Sequence, residues 1–245
     1  MYKVQKPLYG NQDLESLQER LFLLQKESFD QGYAHVFLME GWASSGKGSI
    51  LQNLTVRLDP RKFKVYSPYV HQSEDRGYPF LWNFWRVLPR YGEMLFYLNT
   101  YYSRLAYLQS KGKISKLECN QRLVSILNTE RILSKDKILV HKFFIHLSKK
   151  EQKKRFKISR IEKRDWEFSP YDKDQWKHYD RYQNIFETLL LASTTSDSPW
   201  QILYNDKKED VKLLIFESIV HKLENILGFD SKERLSKMNA LELIP

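Results

Sequence analysis

Cysteine is nearly absent: Cys119 is the single one in 245 residues. One thiol cannot form an internal disulfide, so the fold is not cross-linked and suits a reducing compartment. Its ordinary role is a small packed side chain rather than a nucleophile. Glycine and proline are also scarce, at 9 and 8 residues, which excludes collagenous and low-complexity disordered classes. Long apolar runs are missing. Stretches such as "LLIF" and "ETLLLA" fall far short of a bilayer span, so no membrane partner is expected. The opening "MYKVQKPLYG" has no apolar signal core, so secretion is not expected and a cytoplasmic location is. No internal repeat interrupts the chain. His35, His71, His141, His146, His178 and His221 have no metal-ligand spacing with cysteine or acidic partners. No zinc site is therefore expected, and chain order alone supports no Ser–His–Asp arrangement.

What is present is ordinary for one globular domain, 1–245, with 42% hydrophobic and 29% charged residues. Lys and Arg outnumber Asp and Glu by 40 to 30, a formal charge of +10. That excess favours anionic partners such as nucleotides, polyphosphate, acidic lipid or nucleic acid, with solubility alone as the plainer explanation.

Apolar runs alternate with helical patterns along the chain. Segment 13–27 places Leu14, Leu17, Leu21 and Leu24 at helical spacing. "HVFLMEG" then reads as a buried parallel strand, and 49–58 as a helix with Ile50, Leu51, Leu54 and Leu58 on one face. "FKVYSPYV", "GEMLFYL", "KILVHKFFIHL" and "PWQILY" are further strands. Helices are expected over 78–89, from 101 onward, over 174–192 and over 210–227. Such alternation predicts an α/β fold with a largely parallel sheet flanked by helices. Ligands on these sheets bind at the carboxyl ends of the strands.

The stretch "EGWASSGKGS", 40–49, falls at such an end. Gly41, four residues, Gly46 and Lys47 fit the G-x-x-x-x-G-K frame of a phosphate-cradling loop. Its glycines let backbone amides point at phosphate oxygens, the following helix adds its positive end, and Lys47 adds a point charge. Position 48 is Gly, and Ser49 stands one residue late for the usual hydroxyl. A tight Gly-rich strand-to-helix turn is the alternative.

Seven Lys or Arg lie from Lys149 to Arg160. Ser148 with Glu151 has the spacing of a capping box, so a helix should begin there. Lys150, Lys154, Lys157 and Arg164 fall near one face, with Lys153 and Arg160 beside them. A solvated face and a polyanion track are both open readings. The aromatics of "FLWNFW" and "YLNTYY" read as core before base-stacking surface.

These motifs together resemble the polyphosphate kinase 2 family, from about residue 12 to 228. The likeness rests on "EGWASSGKGS", "LDPR", "SEDRGYPFLWNFWRVLP", "YYSR", "HLSKKEQKKRF", "DW" with "WKHYDRY", and "SPW", in that order. The segments "HKFFIHLSKKEQKKRF" and "WKHYDRY" are closest to the N-terminal half of two-domain polyphosphate:AMP phosphotransferases. The resemblance implies a P-loop kinase-like parallel sheet with a basic helical lid at about 148–182. It implies phosphoryl transfer between inorganic polyphosphate and a nucleotide (AMP, ADP or GDP) with Mg²⁺ if the chain is active.

Carried onto this sequence, the resemblance assigns catalytic roles to Lys47 and Arg104. It assigns phosphate binding to Gly41, Ser44, Ser45, Gly46, Gly48 and Ser49. Polyphosphate would be tracked by Arg86, Lys142, Lys150, Lys153, Lys154 and Arg155. It also implies a homo-oligomer, or a partner of an active relative. The departures are as telling: the family's aspartates fall on Ala43 and Leu98, and its following arginine on Asn99. Neither Ala43 nor Leu98 can ligate a hard cation, so no metal-ligand residue is assigned. Glu40, Glu74 and Asp75 remain as carboxylates nearby in sequence. Two readings stand: a phosphotransferase, and a degenerate domain that binds polyphosphate or nucleotide. Nucleic-acid binding ranks last, resting on charge and aromatics alone. Preferred nucleotide, direction of transfer, oligomeric state and membership of a longer protein are not fixed by sequence.

Overall fold

The computed structural model describes residues 13–71, 77–164, 166, 168–206 and 208–242. Helix α1 (Leu14–Gln31) starts where Asp13 accepts from the Glu15 amide and stops at Gly32, whose φ of 73° is the left-handed cap. Its Leu17, Leu21 and Leu24 are buried. Strand β1 (Ala34–Gly41) is buried along its whole length, because β3 (Met94–Leu98) and β4 (Ile138–His146) flank it and helices cover both faces. All pairings are parallel, in the order β2-β3-β1-β4-β5, with β2 (Phe63–Tyr66) and β5 (Trp200–Tyr204) at the edges. The expected α/β parallel sheet is thus what folds.

Two cores lie against the sheet. One packs α1, α2 (Lys47–Thr55) and α9 (Lys208–Leu227) on Phe37, Met39, Phe96 and Phe143. The other packs α4 (Tyr101–Ser110), α5 (Lys116–Lys135) and α8 (Tyr179–Ser193) on Val36, Leu38, Tyr97 and Phe144. Burying one such aliphatic or aromatic side chain stabilises by about 1.5–3 kcal/mol, so the sheet is fixed from both sides.

Two expected helices are corrected. The helix over 78–89 shrinks to one turn, α3 (Trp82–Trp85). Phe84 is core, stacking on Tyr97, while Trp82 and Trp85 are exposed, so the aromatic run divides between core and surface. The helix over 174–192 is two, α7 (Pro170–Lys177) and α8, broken at His178 with φ −120° and ψ 38°. Asp174 holds that break. It accepts from the His178 ring at 3.0 Å, from Lys111 at 2.6 Å and from the Tyr182 hydroxyl at 2.8 Å. Finally α10 (Ser231–Glu242), which has no apolar stripe to announce it, is anchored by Ser231, bonded to Arg20 and Glu224.

Candidate functional site

The loop 41–49 lies between the carboxyl end of β1 and α2. Gly41 has φ 132°, and a Cβ there would sit 2.3 Å from the Ile145 carbonyl oxygen, so only glycine fits against β4. Gly46 turns the chain into α2 with φ 90°, and Ser44 is left-handed at φ 62°. Gly46 supplies no side-chain cap. The amides of Lys47, Gly48 and Ser49 meet no protein acceptor among the described residues. A Cβ on Gly48 would meet nothing within 4 Å, and Gly48 and Ser49 are exposed. The half-buried Lys47 ammonium folds back onto the carbonyls of Gly41 (3.0 Å) and Trp42 (2.8 Å). Burial lowers its pKa, opposed by the negative charges of Asp172 and Glu40.

The loop is clasped from outside. Trp42 stacks on Tyr179 of α8 with ring centroids 3.9 Å apart. The Ala43 amide donates to Gln175 Oε1 on α7 at 2.7 Å, and Gln152 Nε2 on α6 (Lys149–Ile161) donates to the Ala43 carbonyl at 3.3 Å. Arg155 reaches the Ser44 carbonyl at 3.1 Å and the Asn205 carbonyl at 2.6 Å, and Asn205 in turn donates to the Ser45 carbonyl. Only the first of these bonds uses a loop N–H, the kind of group a phosphate would take.

Beside the loop, Glu40 is 1% exposed and faces the start of α4. Its Oε1 accepts from the Thr100 amide (2.7 Å), the Thr100 hydroxyl (2.6 Å) and the Ser103 amide (3.1 Å). Its Oε2 accepts from the Ser103 hydroxyl. This is an anion neutralising a helix N-terminus, with both oxygens committed. Asn99, at φ 51°, occupies a left-handed position that Asn tolerates, and its Oδ1 is buried without a partner. It lines a cavity of about 30 Å³ with Tyr69, Phe80, Asn83 and Arg104. Arg104 donates to the Val70 carbonyl at 2.9 Å. Arg86 is exposed and donates to the Tyr66 hydroxyl at 3.2 Å.

The other expected anion contacts separate. Lys150, Lys153 and Lys154 stand exposed on α6, where Lys154 lies 3.6 Å from Glu151. Lys142 does not join them, which corrects that assignment. Its side chain is 0% exposed, ion-paired with Glu130 at 2.9 Å and donating to the Ser193 carbonyl at 2.7 Å. Arg155 is likewise spent bracing the loop, at 8% exposure, rather than facing a polyanion. Glu74 and Asp75 lie outside the described residues. Gln152, Gln175 and Asn205 were missed by the sequence reading: uncharged amides carry no motif, and only folding brings them to the loop.

These residues do not fit a Mg²⁺ site. Ala43 and Leu98 offer no side-chain oxygen, both Glu40 oxygens already accept hydrogen bonds from α4, and no group of three or more His, Cys, Asp or Glu among the described residues could hold a metal.

Comparison with known proteins bears on the family and the fold. Residues 4–228 match the family model for Polyphosphate kinase 2 (PPK2). The polyphosphate:AMP phosphotransferase of Pseudomonas aeruginosa is 28% identical over 96% of this chain, which spans 47% of that relative. The ADP-polyphosphate phosphotransferase of Rhodopseudomonas palustris is 27% identical, covering 85% of this chain and 77% of its own. The crystal structure of Polyphosphate Kinase 2 from Arthrobacter aurescens TC1 superposes with a TM-score of 0.81 at 21% identity, over 92% of this chain and 84% of that one. It shares the fold. The chain spans about half the length of the Pseudomonas aeruginosa relative.

Proposed function

This chain belongs to the polyphosphate kinase 2 family, and on that premise we propose that it grips inorganic polyphosphate in the 41–49 loop. It moves phosphoryl groups between polyphosphate and a nucleotide (AMP, ADP or GDP) far more slowly than members with aspartates at positions 43 and 98. The grip is carried by one observation: the start of α2, where three amides have no acceptor among the described residues and Lys47 stands beside them. Glycine at 48 supports it, since no described residue crowds that position and glycine costs about 1 kcal/mol in a helix, whereas a close-approaching phosphate needs it. The polyphosphate chain then runs over the basic face of Lys150, Lys153 and Lys154 on α6, within a lid at about 148–182. Arg104 and Arg86 meet the charge of the reacting groups at the β3 edge.

Attenuation follows from the missing carboxylates. Each lost preorganised electrostatic partner costs about 3 kcal/mol of barrier, on the order of a hundredfold in rate. A wholly non-catalytic module that regulates or assembles with an active relative is the second reading, favoured by Glu40's commitment to α4. In either case the domain works in the cytoplasm, alone or as a homo-oligomer.

The test mixes the protein with polyphosphate, AMP or ADP, and Mg²⁺ or Mn²⁺, with Lys47→Ala as control. Slow product above the control is expected. Turnover equal to a carboxylate-bearing relative would refute the attenuation, and equal polyphosphate affinity in Lys47→Ala would refute the grip.

A further inference from the structure

Every carbonyl of the loop from Gly41 to Gly46 accepts a hydrogen bond. Gly41 and Trp42 take the Lys47 ammonium, and Gly46 takes the Ile50 amide. The carbonyls between them are held by buried side chains from outside the loop: Ala43 by Gln152 at 3.3 Å, Ser44 by Arg155 at 3.1 Å, and Ser45 by Asn205. The amides show the opposite. Those of Ser44, Gly46, Lys47, Gly48 and Ser49 meet no acceptor among the described residues. Covalent geometry links the two facts. In a planar trans peptide the C=O of one residue and the N–H of the next point in opposite directions. Pinning the Ala43 and Ser45 carbonyls to Gln152 and Asn205 therefore turns the Ser44 and Gly46 amides away from those side chains. Left-handed φ angles at Ser44 and Gly46, 62° and 90°, bend such a run of amides into a concavity suited to an anion.

Arg155 is the centre of this clamp. Its guanidinium holds the Ser44 carbonyl directly and the Asn205 carbonyl at 2.6 Å, while the Asn205 side chain holds Ser45. Glu151, one turn earlier on α6, accepts from its Nε at 3.1 Å and fixes the plane of the fork. We propose that Arg155 is a positioning residue. It touches no phosphate, and sets the loop's affinity for polyphosphate by keeping the carbonyls turned outward and the amides free for the anion. It does so by the span of its planar fork rather than by its charge. The inference rests on the reading that the loop grips polyphosphate.

Polyphosphate binding is measured by calorimetry over a range of salt, well below each variant's melting temperature. Arg155→Lys keeps the charge, but one ammonium cannot reproduce a fork that spans two carbonyls. It weakens binding about tenfold, with the slope of log K against log salt as in wild type. Asn205→Leu changes no charge and shares the loss. Arg155→Ala weakens binding at least as much, and free guanidinium ion restores affinity where an equal concentration of sodium chloride does not. Wild-type affinity in Arg155→Lys, with the slope lowered by about 0.7–0.9 in Arg155→Ala, overturns the proposal and makes Arg155 a direct polyanion contact. Wild-type affinity in all three variants, with only their melting temperatures lowered, overturns it in favour of a structural brace. So does a loss in Arg155→Ala that guanidinium does not relieve and Asn205→Leu does not share. If Arg155→Ala does not fold, Arg155→Lys and Asn205→Leu decide the matter by the same criteria. Absence of binding by the wild-type protein would instead remove the grip on which the inference stands.

Discussion

Replacing Lys142 with methionine removes a buried cation and leaves its partner behind. The ammonium lies 2.9 Å from Glu130 Oε2 and 2.7 Å from the Ser193 carbonyl, with the side chain fully buried. Glu130 also accepts from the hydroxyls of Tyr101 (2.7 Å) and Tyr102 (2.9 Å), so its carboxylate ties α5 to β4 and to the first turn of α4. Breaking a buried pair from one side costs about 3–5 kcal/mol. The two phenol hydrogen bonds survive the change and favour the lower end. At about 2–4 °C per kcal/mol for a chain of this size, melting should fall by roughly 10 °C. Adding Glu130→Gln, which keeps an acceptor for the tyrosines but removes the orphaned charge, should recover most of that loss. Calorimetric melting measures the drop, and polyphosphate binding well below the melting temperature should keep its affinity and salt dependence. A melting temperature within about 2 °C of wild type, together with a shallower salt dependence, would refute the structural role and return Lys142 to the ligand.

Acid should destabilise the fold through a buried histidine pair. His35 Nδ1 meets His141 Nε2 at 3.1 Å, and His35 Nε2 meets Ser28 Oγ at 2.9 Å. Burial first, then the positive charge of Lys222, pushes His35 down to about 3 and His141 well below the ordinary value. The folded state therefore binds fewer protons than the unfolded one. This contribution is whole above about pH 6.5 and lost on acidification, by about 1.4 kcal/mol per pH unit for each histidine. Urea midpoints from about pH 7.5 to about pH 5 would show it, and a flat profile would refute it. On α6, Lys153→Ala with Lys154→Ala should weaken polyphosphate binding and lower the slope of log K against log salt by about 1.4–1.8, at about 0.7–0.9 per charge removed. An unchanged slope would place the polyanion elsewhere.

The loop was legible because its chemistry restricts residue choice. Gly41 must be glycine to pass Ile145, Gly46 must turn with a positive φ, and both fall in a fixed frame with Lys47. Strand β1 was legible because a sheet covered on both faces demands an unbroken apolar run. That same rule carried an unused warning about Lys142. A cation inside "ILVHKFFIH", in a strand with both faces covered, can hardly reach solvent and must find a buried partner. Arg155 was illegible for a different reason. Helical spacing places it beside Phe156 on the inner side of α6, but charge density drew it into the outer face. The break at His178 depends on Lys111 and Tyr182 meeting Asp174, contacts that no local pattern encodes.

On the proposed reading, Glu40 explains why a phosphate would sit at α2 and not at the neighbouring helix. Strands β1 and β3 are adjacent and parallel, so α2 and α4 both present N-termini at the same edge of the sheet. Each is a ready anion site. At α4 the anion is built in: Glu40 takes the amides of Thr100 and Ser103 and both hydroxyls. At α2 none of the described residues plays that part, and the amides of Lys47, Gly48 and Ser49 are left for an external acceptor. Glu40 acts on α2 as well: after Asp172, its negative charge opposes the lowering that burial imposes on Lys47. One carboxylate thus occupies one helix terminus and adds negative charge beside the cation of the other. Drawing a Glu40 oxygen away to a cation would leave buried Thr100 or Ser103 donors unpaired, at about 1–3 kcal/mol each.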